Sequence, residues 1–484
     1  MNLPPRLRTP ALLALMSFAA LLVHGYHPGA EDGEIYLPGI LKLLHPALFP
    51  HDGAFFASHA GMTAFPWLIA TSIRVTHLWP HVVLLLWHVL SIFLTLWACL
   101  RIARLCFKEE RAAWCGTALV GSLLTLPVAG TALYIMDPYL TSRSLVTPAG
   151  LFAVGEVLAG NYAGGLAWIL VSAAVHPLMA LFAAAWAVIL VLLRFMPVRA
   201  TKAVAAGLPA FFPPVTSSYQ EILRTRPYFL LTNWAWYEWL GIFAPLLLLV
   251  WFTALARKLG LGLLGQACQV LVTLVTGCLA VELVIGVPGR FENFAELQLM
   301  RCLQLAYTLL FLFGGCLLGK FVQRRRPLYW MLLFVPLCAV MFLAQRQLFA
   351  ASDHVEWPGA RPRNPMEQAF RWVRHNTPEN AYFALDPDYM NRSPDDEQGF
   401  RAIARRSMLA DANKDAGAAS MFPELSGEWE RQVNARRGWE RFQLVDFERL
   451  KAGYGVDWAI VAEPGVAGLQ CPYRNAAVLV CRVP

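Results

Sequence analysis

Apolar residues run in long unbroken stretches over the first three quarters of the chain, beginning with ALLALMSFAALLV at residues 11–23. Several stretches approach the ~20 residues that a helix needs to cross a bilayer. They do not alternate with period two, so they predict helices rather than strands, and only helices or closed barrels satisfy all backbone polar groups in lipid. Such segments fall at about 9–25, 82–106, 112–135, 145–160, 163–175, 177–195, 203–217, 239–256, 261–286, 303–320 and 328–348. The fold expected is a polytopic α-helical membrane protein of about eleven spans. TAFPWLIATSIRVTHLW (63–79) is interrupted by Arg74 and His77 and reads as a helix lying in the interface.

After residue 350 the pattern changes. NPMEQAFRWVRHN reads as an amphipathic helix, followed by a turn at Thr377-Pro378 and a strand at AYFAL. EQGFRAIARRS, GEWERQVNARRGWERF and LVDFERLKAGYG predict further helices, and GVDWAIVAEP and AAVLVCRV predict buried strands. The β-α-β order suggests a small α/β domain at 350–484 beside a membrane domain at 1–349.

Charge then sets the topology. Only 15% of residues are charged, against about 25% in a soluble domain. Residues 1–350 hold 13 acids and 23 bases, and residues 351–484 hold 19 and 17. Basic short loops mark the cytoplasmic side. Arg6 and Arg8, RIARLCFKEER and Gln323-Arg324-Arg325-Arg326 put the N-terminus inside and the C-terminal domain outside. The basic balance therefore reports topology, and no nucleic-acid motif accompanies it. The first segment reads as a retained anchor rather than a cleaved signal. Cys471 and Cys481, in CPYRNAAVLVC, could form a disulfide in an oxidising compartment or stay as buried thiols. The other eight cysteines, mostly in or beside apolar spans, read as packing residues.

With that topology most acids of the membrane part collect on the outer side. YHPGAEDGEIYLPGILKLLHPALFPHD (26–52) carries Glu31, Asp32, Glu34 and Asp52, within a first outer loop at 26–62. Asp137, Glu292 and Glu296 join them, with Arg143, Arg224, Arg226, Arg290 and Arg301 alongside. A carboxylate can receive a proton from an incoming hydroxyl or amine, and arginines can hold a phosphate leaving group. Asp32, with Glu34 beside it, is the expected catalytic base, because a side chain so close to the first span sits at headgroup depth. Glu31, Asp52, Asp137, Arg143, Arg290, Arg301 and His51 are the expected substrate-binding set. Each acid can also be an ordinary solvated loop residue, and Asp137 can simply pair with Arg143. No cofactor is firmly indicated; His51 and Asp52, with Asp32 or Glu34, are the weak candidates for a divalent cation. His176 marks a helix break that could face a polar cavity.

An inside N-terminus, an acidic loop after the first span (Glu31-Asp32-Gly33-Glu34), eleven or so spans and a small outer domain together resemble the GT-C superfamily of polyprenyl-phosphate-sugar-dependent glycosyltransferases. FRWVRHNTPENAYFALDP and YGVDWAIV are similar to phrases in the tails of bacterial relatives. The tail has no Trp-Trp-Asp motif, which points away from an oligosaccharyltransferase. The resemblance implies a multi-pass enzyme of a bacterial inner membrane, with Asp32 at the position of the family's acid. It implies a polyprenyl-phosphate-linked sugar donor, a lipid, glycan or protein acceptor, membrane lipids as surroundings and no nucleic acid. A lipid or glycan transporter and a non-catalytic assembly factor are the competing readings. No internal repeat of the transporter kind is evident.

Overall fold

The computed structural model describes residues 5–195, 216–286, 292–322, 326–391 and 396–484. Its membrane part begins with α1 (Pro5–His24), α2 (Gly33–Leu44), α3 (Ala54–Gly61), α4 (Phe65–Thr76), α5 (Pro80–Cys106) and α6 (Glu110–Gly121). A short antiparallel hairpin, β1 (Pro127–Val128) with β2 (Leu133–Tyr134), follows. Then come α7 (Ser142–Leu158), α8 (Tyr162–Val175), α9 (Pro177–Phe195), α10 (Ser217–Arg224), α11 (Trp236–Leu259), α12 (Gly262–Ile285), α13 (Cys302–Phe321) and α14 (Pro327–Leu348).

Among the described residues seven helices are long and apolar enough to cross a membrane: α1, α5, α9, α11, α12, α13 with its preceding turns, and α14. That is fewer than the eleven expected. The segment expected at 112–135 stops as a helix at Gly121 and continues as the hairpin, with Gly130 at φ +64°. A glycine there reaches the left-handed region without a Cβ clash. The segments expected at 145–160 and 163–175 are helices of 17 and 14 residues, shorter than the ~20 that a full crossing takes. The segment at 203–217 and residues 323–325 lie outside the described residues, apart from residues 216 and 217.

The long helices share one apolar core, with α7 at its centre: Val146, Leu151, Phe152, Val154 and Leu158 are all buried. Helices α6 and α13 pack very closely. A Cβ on Gly315 would stand 2.7 Å from the Cα of Gly116, the close approach that small residues permit between membrane helices. Outside this core, α14 exposes Leu328, Met331, Leu332, Val335, Val340 and Leu343, as a lipid-facing helix does.

The C-terminal layer is a five-stranded sheet in the order β4 (Ser407–Met408), β3 (Tyr382–Ala384), β5 (Trp458–Ala462), β7 (Val478–Arg482), β6 (Gln470–Arg474). The first three are mutually parallel and the last two pair antiparallel. Cys471 and Cys481 are joined by a disulfide between β6 and β7. One face of the sheet, with α15 (Pro365–Asn376) and α16 (Phe400–Ala404), continues into an apolar core shared with α2, α4 and the start of α5. The other face packs on α19 (Leu444–Tyr454). Helices α17 (Lys414–Met421) and α18 (Ser426–Ala435) cover the edge and pack against α3 and α10.

The acidic segment is the joint between the two parts. Tyr26 donates its N–H to the His354 carbonyl at 3.0 Å, and Glu356 donates back to Tyr26 at 2.9 Å. Glu31 donates to the Glu397 carbonyl at 2.9 Å and Gly399 donates to Gly29 at 2.8 Å. Residues 26–31 are thus stitched to the C-terminal layer through backbone bonds.

Candidate functional site

The left-handed conformation of Glu31, φ +53°, turns the chain into α2 and puts Asp32 at its N-cap. The Asp32 side chain does not cap the helix. It is held from two sides instead. Arg143 Nη2, in the first turn of α7, reaches Oδ2 at 2.7 Å, and Lys414 Nζ, at the start of α17, reaches Oδ1 at 3.1 Å. Lys414 also bonds Glu31 at 2.6 Å. Behind Arg143, Asp137 Oδ2 accepts its Nε and Nη2 at 3.1 and 2.8 Å, and the Thr141 hydroxyl at 3.1 Å. Burial alone would raise the Asp32 pKa, but Lys414 and Arg143 outweigh it and hold the carboxyl well below the usual carboxylate range. Asp32 is therefore an ion at any physiological pH.

This cluster forms one wall of a cavity of about 850 Å³ between the membrane helices and the C-terminal layer. Glu31, Asp32, Tyr36 and His59 line it from α2 and α3, and Arg143 and His176 from the starts of α7 and α9. Arg226 and Tyr228 line it from the turn after α10, Arg301 from the start of α13, and Lys414 and Glu397 from the C-terminal layer. Burial first, then the charges of Arg143 and Arg301, lowers His59 to about 4 against the pull of Asp32. It is a neutral imidazole at pH 7.

Two of the lining cations are under-satisfied. The Nε and Nη2 atoms of Arg226 and the Nε of Arg301 are buried with no hydrogen-bond partner among the described residues. Among the described residues the Arg226 guanidinium bonds Asn413 alone, at 3.3 Å, and neither guanidinium makes an ion pair. A buried unpaired charge is costly, so these two groups are poised for an anion.

The expected site residues divide. Asp32, Glu31, Arg143 and Arg301 meet at the cavity, and Asp137 stands directly behind Arg143. Arg290 lies outside the described residues. Glu34 does not line the cavity. It is fully buried and turned into the C-terminal layer, where Oε1 and Oε2 accept the backbone N–H groups of Arg401 and Ala402, each at 2.9 Å. It thus caps the first turn of α16 from outside the helix. Asp52 and His51 dock on the sheet. Asp52 accepts the hydroxyl of Tyr382 and, at 2.9 Å, the amide of Gln432, and the His51 ring stacks on Tyr382 at 4.5 Å. Asp52, Asp32 and Glu34 thus serve three different partner sets, which separates the candidate cation ligands. Among the described residues no group of three or more His, Cys, Asp or Glu could hold a metal ion.

Sequence reasoning missed Lys414, the second cation on Asp32, because the tail reads as charge-balanced. Its signal was DANKD (411–415), a dense polar run at a helix start.

No protein-family model matches the chain, and no curated protein matches it. Among solved structures it is similar to the archaeal oligosaccharyltransferase AglB from Archaeoglobus fulgidus in complex with an inhibitory peptide and a dolichol-phosphate. That likeness has a TM-score of 0.44 and 12% identity, over 93% of this chain and 69% of that one. The Archaeoglobus fulgidus oligosaccharyltransferase in its apo form gives a TM-score of 0.38 at 11% identity, over 95% and 70%. The same enzyme tethered to an acceptor peptide containing the NVT sequon gives 0.43 at 13%, over 95% and 69%.

Proposed function

We propose that the chain is a membrane glycosyltransferase that moves a sugar from a polyprenyl-phosphate donor to an acceptor at the outer face of a bacterial inner membrane. Residues 1–349 are the membrane domain in this reading, and 350–484 an extracytoplasmic domain. The observation that carries it is one cavity holding both an ionised Asp32 and two guanidiniums, Arg226 and Arg301, without anionic partners among the described residues. The acidic sequence resemblance at Glu31-Asp32 agrees with it.

In a single displacement the acceptor oxygen or nitrogen bonds to the sugar C1 as the bond from C1 to the phosphate oxygen breaks. Negative charge then grows on the phosphate, where Arg226 and Arg301 neutralise it. Asp32 accepts a hydrogen bond from the acceptor O–H or N–H and aligns its lone pair on C1. Held so far below the usual range, Asp32 is a weak base, so it orients and polarises the acceptor, and the leaving phosphate can take up the proton. Arg143 and Lys414 position the carboxylate, and Asp137 positions Arg143.

The test is sugar transfer in proteoliposomes from a labelled polyprenyl-phosphate donor. Asp32→Asn lowers kcat by about 100-fold or more with the donor KM little changed. Arg226→Gln with Arg301→Gln raises the donor KM. Wild-type turnover in the Asp32→Asn protein would sink the reading.

A further inference from the structure

A second cationic cluster lies away from the cavity, where the C-terminal layer meets the start of α5. Helices α15 and α16 contribute Met366, Phe370 and Ile403 to an apolar cluster that also holds Phe65, Ile69, Val83 and Leu84 from α4 and α5. Arg374 at the end of α15 and Arg405 just after α16, whose neighbour Arg406 bonds the Arg374 carbonyl at 2.9 Å, lie within electrostatic reach of each other and of His81, in the first turn of α5. Neither arginine has an acidic partner among the described residues, whereas the neighbouring Arg371 is paired with Glu367 at 2.7 Å. The Nε of Arg405 is buried with no hydrogen-bond partner among the described residues. Arg405 also holds φ +56°, a left-handed conformation unfavourable for a side chain of its size. Arg406, by contrast, spends its guanidinium on the carbonyls of Arg374, Arg405 and Thr377.

The depth of this cluster is set by α5. The helix exposes Leu86 and Leu90 on its outer surface, and Trp79, 69% exposed, stands immediately before it. An exposed tryptophan at the mouth of an apolar helix marks the headgroup level. Two guanidiniums that lack acidic partners among the described residues and reach His81, two residues after that tryptophan, match a phosphodiester at headgroup level with acyl chains below it.

We propose that Arg374 and Arg405, with His81 at the rim, bind the phosphodiester headgroup of an anionic phospholipid at the junction of the C-terminal layer and α5. The site is separate from the sugar-transfer cavity and does not depend on that function. The lipid is a structural ligand that seats the C-terminal layer on the membrane surface.

The experiment uses the full chain in detergent, with retained lipid counted by native mass spectrometry during titration with phosphatidylglycerol or phosphatidylcholine. Wild type retains phosphatidylglycerol in preference. Arg374→Gln with Arg405→Gln weakens that retention roughly thirtyfold, about fivefold per arginine, and leaves phosphatidylcholine retention unchanged. The pair Arg374→Lys and Arg405→Lys keeps most of the preference. Equal retention of the two lipids by wild type, or an unchanged preference in the glutamine pair, overturns the proposal. So does displacement of phosphatidylglycerol by millimolar inorganic phosphate, which would mark a free-phosphate site. If the glutamine pair does not fold, Arg405→Gln alone is read in the same way, with about a fivefold loss expected and none refuting.

Discussion

Replacing Glu34 by alanine separates architecture from chemistry in the acidic segment. Its two carboxylate oxygens accept the N–H groups of Arg401 and Ala402 at 2.9 Å, and Arg401 Nη1 lies 3.5 Å from one of them. All three donors are buried. In Glu34→Ala the two N–H groups of the first turn of α16 lose their acceptor, each worth about 1–3 kcal/mol when buried and unmet. Arg401 keeps its bidentate bonds to Asp415 at 3.0 and 2.8 Å, so it is not stranded. A total of about 3–5 kcal/mol follows, in the range for removing one partner of a buried pair. At about 2–4 °C per kcal/mol for a region of this size, the unfolding midpoint drops by roughly 10 °C. Thermal unfolding of the full chain in detergent micelles, followed by tryptophan fluorescence, measures it. Limited proteolysis beside it tests whether the C-terminal layer loosens first. Asp32→Asn leaves Arg143 on Asp137 and Lys414 on Glu31, so its midpoint falls by less than half as much. A Glu34→Ala protein that unfolds at the wild-type temperature yet has lost transfer would refute the structural role and return Glu34 to the reacting group.

Lys414→Met removes one of the two cations on Asp32 and leaves Arg143. The acid limb of the pH–rate profile then moves upward, so that the variant loses more activity at pH 5 than at pH 8; an unchanged limb counts against Asp32 as the ionising group. The buried pair of Glu356 and His27, 3.0 Å apart, gives a pH dependence of stability. Burial pushes Glu356 up to about 8 and, opposed by Asp396, pushes His27 down to about 3, so at neutral pH both are uncharged. A carboxyl raised from 4.5 contributes stability that is complete below about pH 4.5 and is lost as pH rises through about 8. The lowered histidine gives the opposite slope between about pH 3 and 6.5, so the two cancel between about pH 4.5 and 6.5. Stability therefore falls between about pH 6.5 and 8, by at most about 1.4 kcal/mol per pH unit, and Glu356→Gln removes that fall.

The long helices were legible because each rests on a local signal: α5, α9, α11, α12, α13 and α14 lie within a few residues of the apolar runs that predict them. The hairpin after α6 was hidden by its own apolarity. Leu133 and Tyr134 continue the hydrophobic run in composition, and only Pro127 and Gly130 signal the break. The candidate site was legible in part. Position after the first apolar segment picked out Asp32, but it picked out Glu34 equally well, since nothing local distinguishes the two acids. Their difference lies in partners 111 residues away for Asp32, in Arg143, and 367 residues away for Glu34, in Arg401. Asp52 likewise looked like a site residue because its partners, Tyr382 and Gln432, come from a part of the chain that folds over it.

Those distant partners connect the two neighbouring acids by a route that does not pass along the backbone between them. Glu34 holds the start of α16 and touches Arg401; Arg401 is clamped on Asp415; Asp415 also accepts the N–H of Asp411 at 2.8 Å. Asp411 in turn caps α17, accepting the N–H groups of Asn413, at 2.7 Å, and Lys414. The last of these is the residue whose ammonium reaches Asp32. The registration of α17 against the acidic segment, and with it the second cation on Asp32, is thus set by Asp415 and Asp411, with Glu34 bracing Arg401 from the far side. Without Glu34, Arg401 keeps both bonds to Asp415 and Lys414 keeps Glu31 and Asp32. A Glu34→Ala protein assayed well below its own melting midpoint should therefore keep the wild-type acid limb, whereas Lys414→Met shifts it, because only the second variant leaves Asp32 with Arg143 alone.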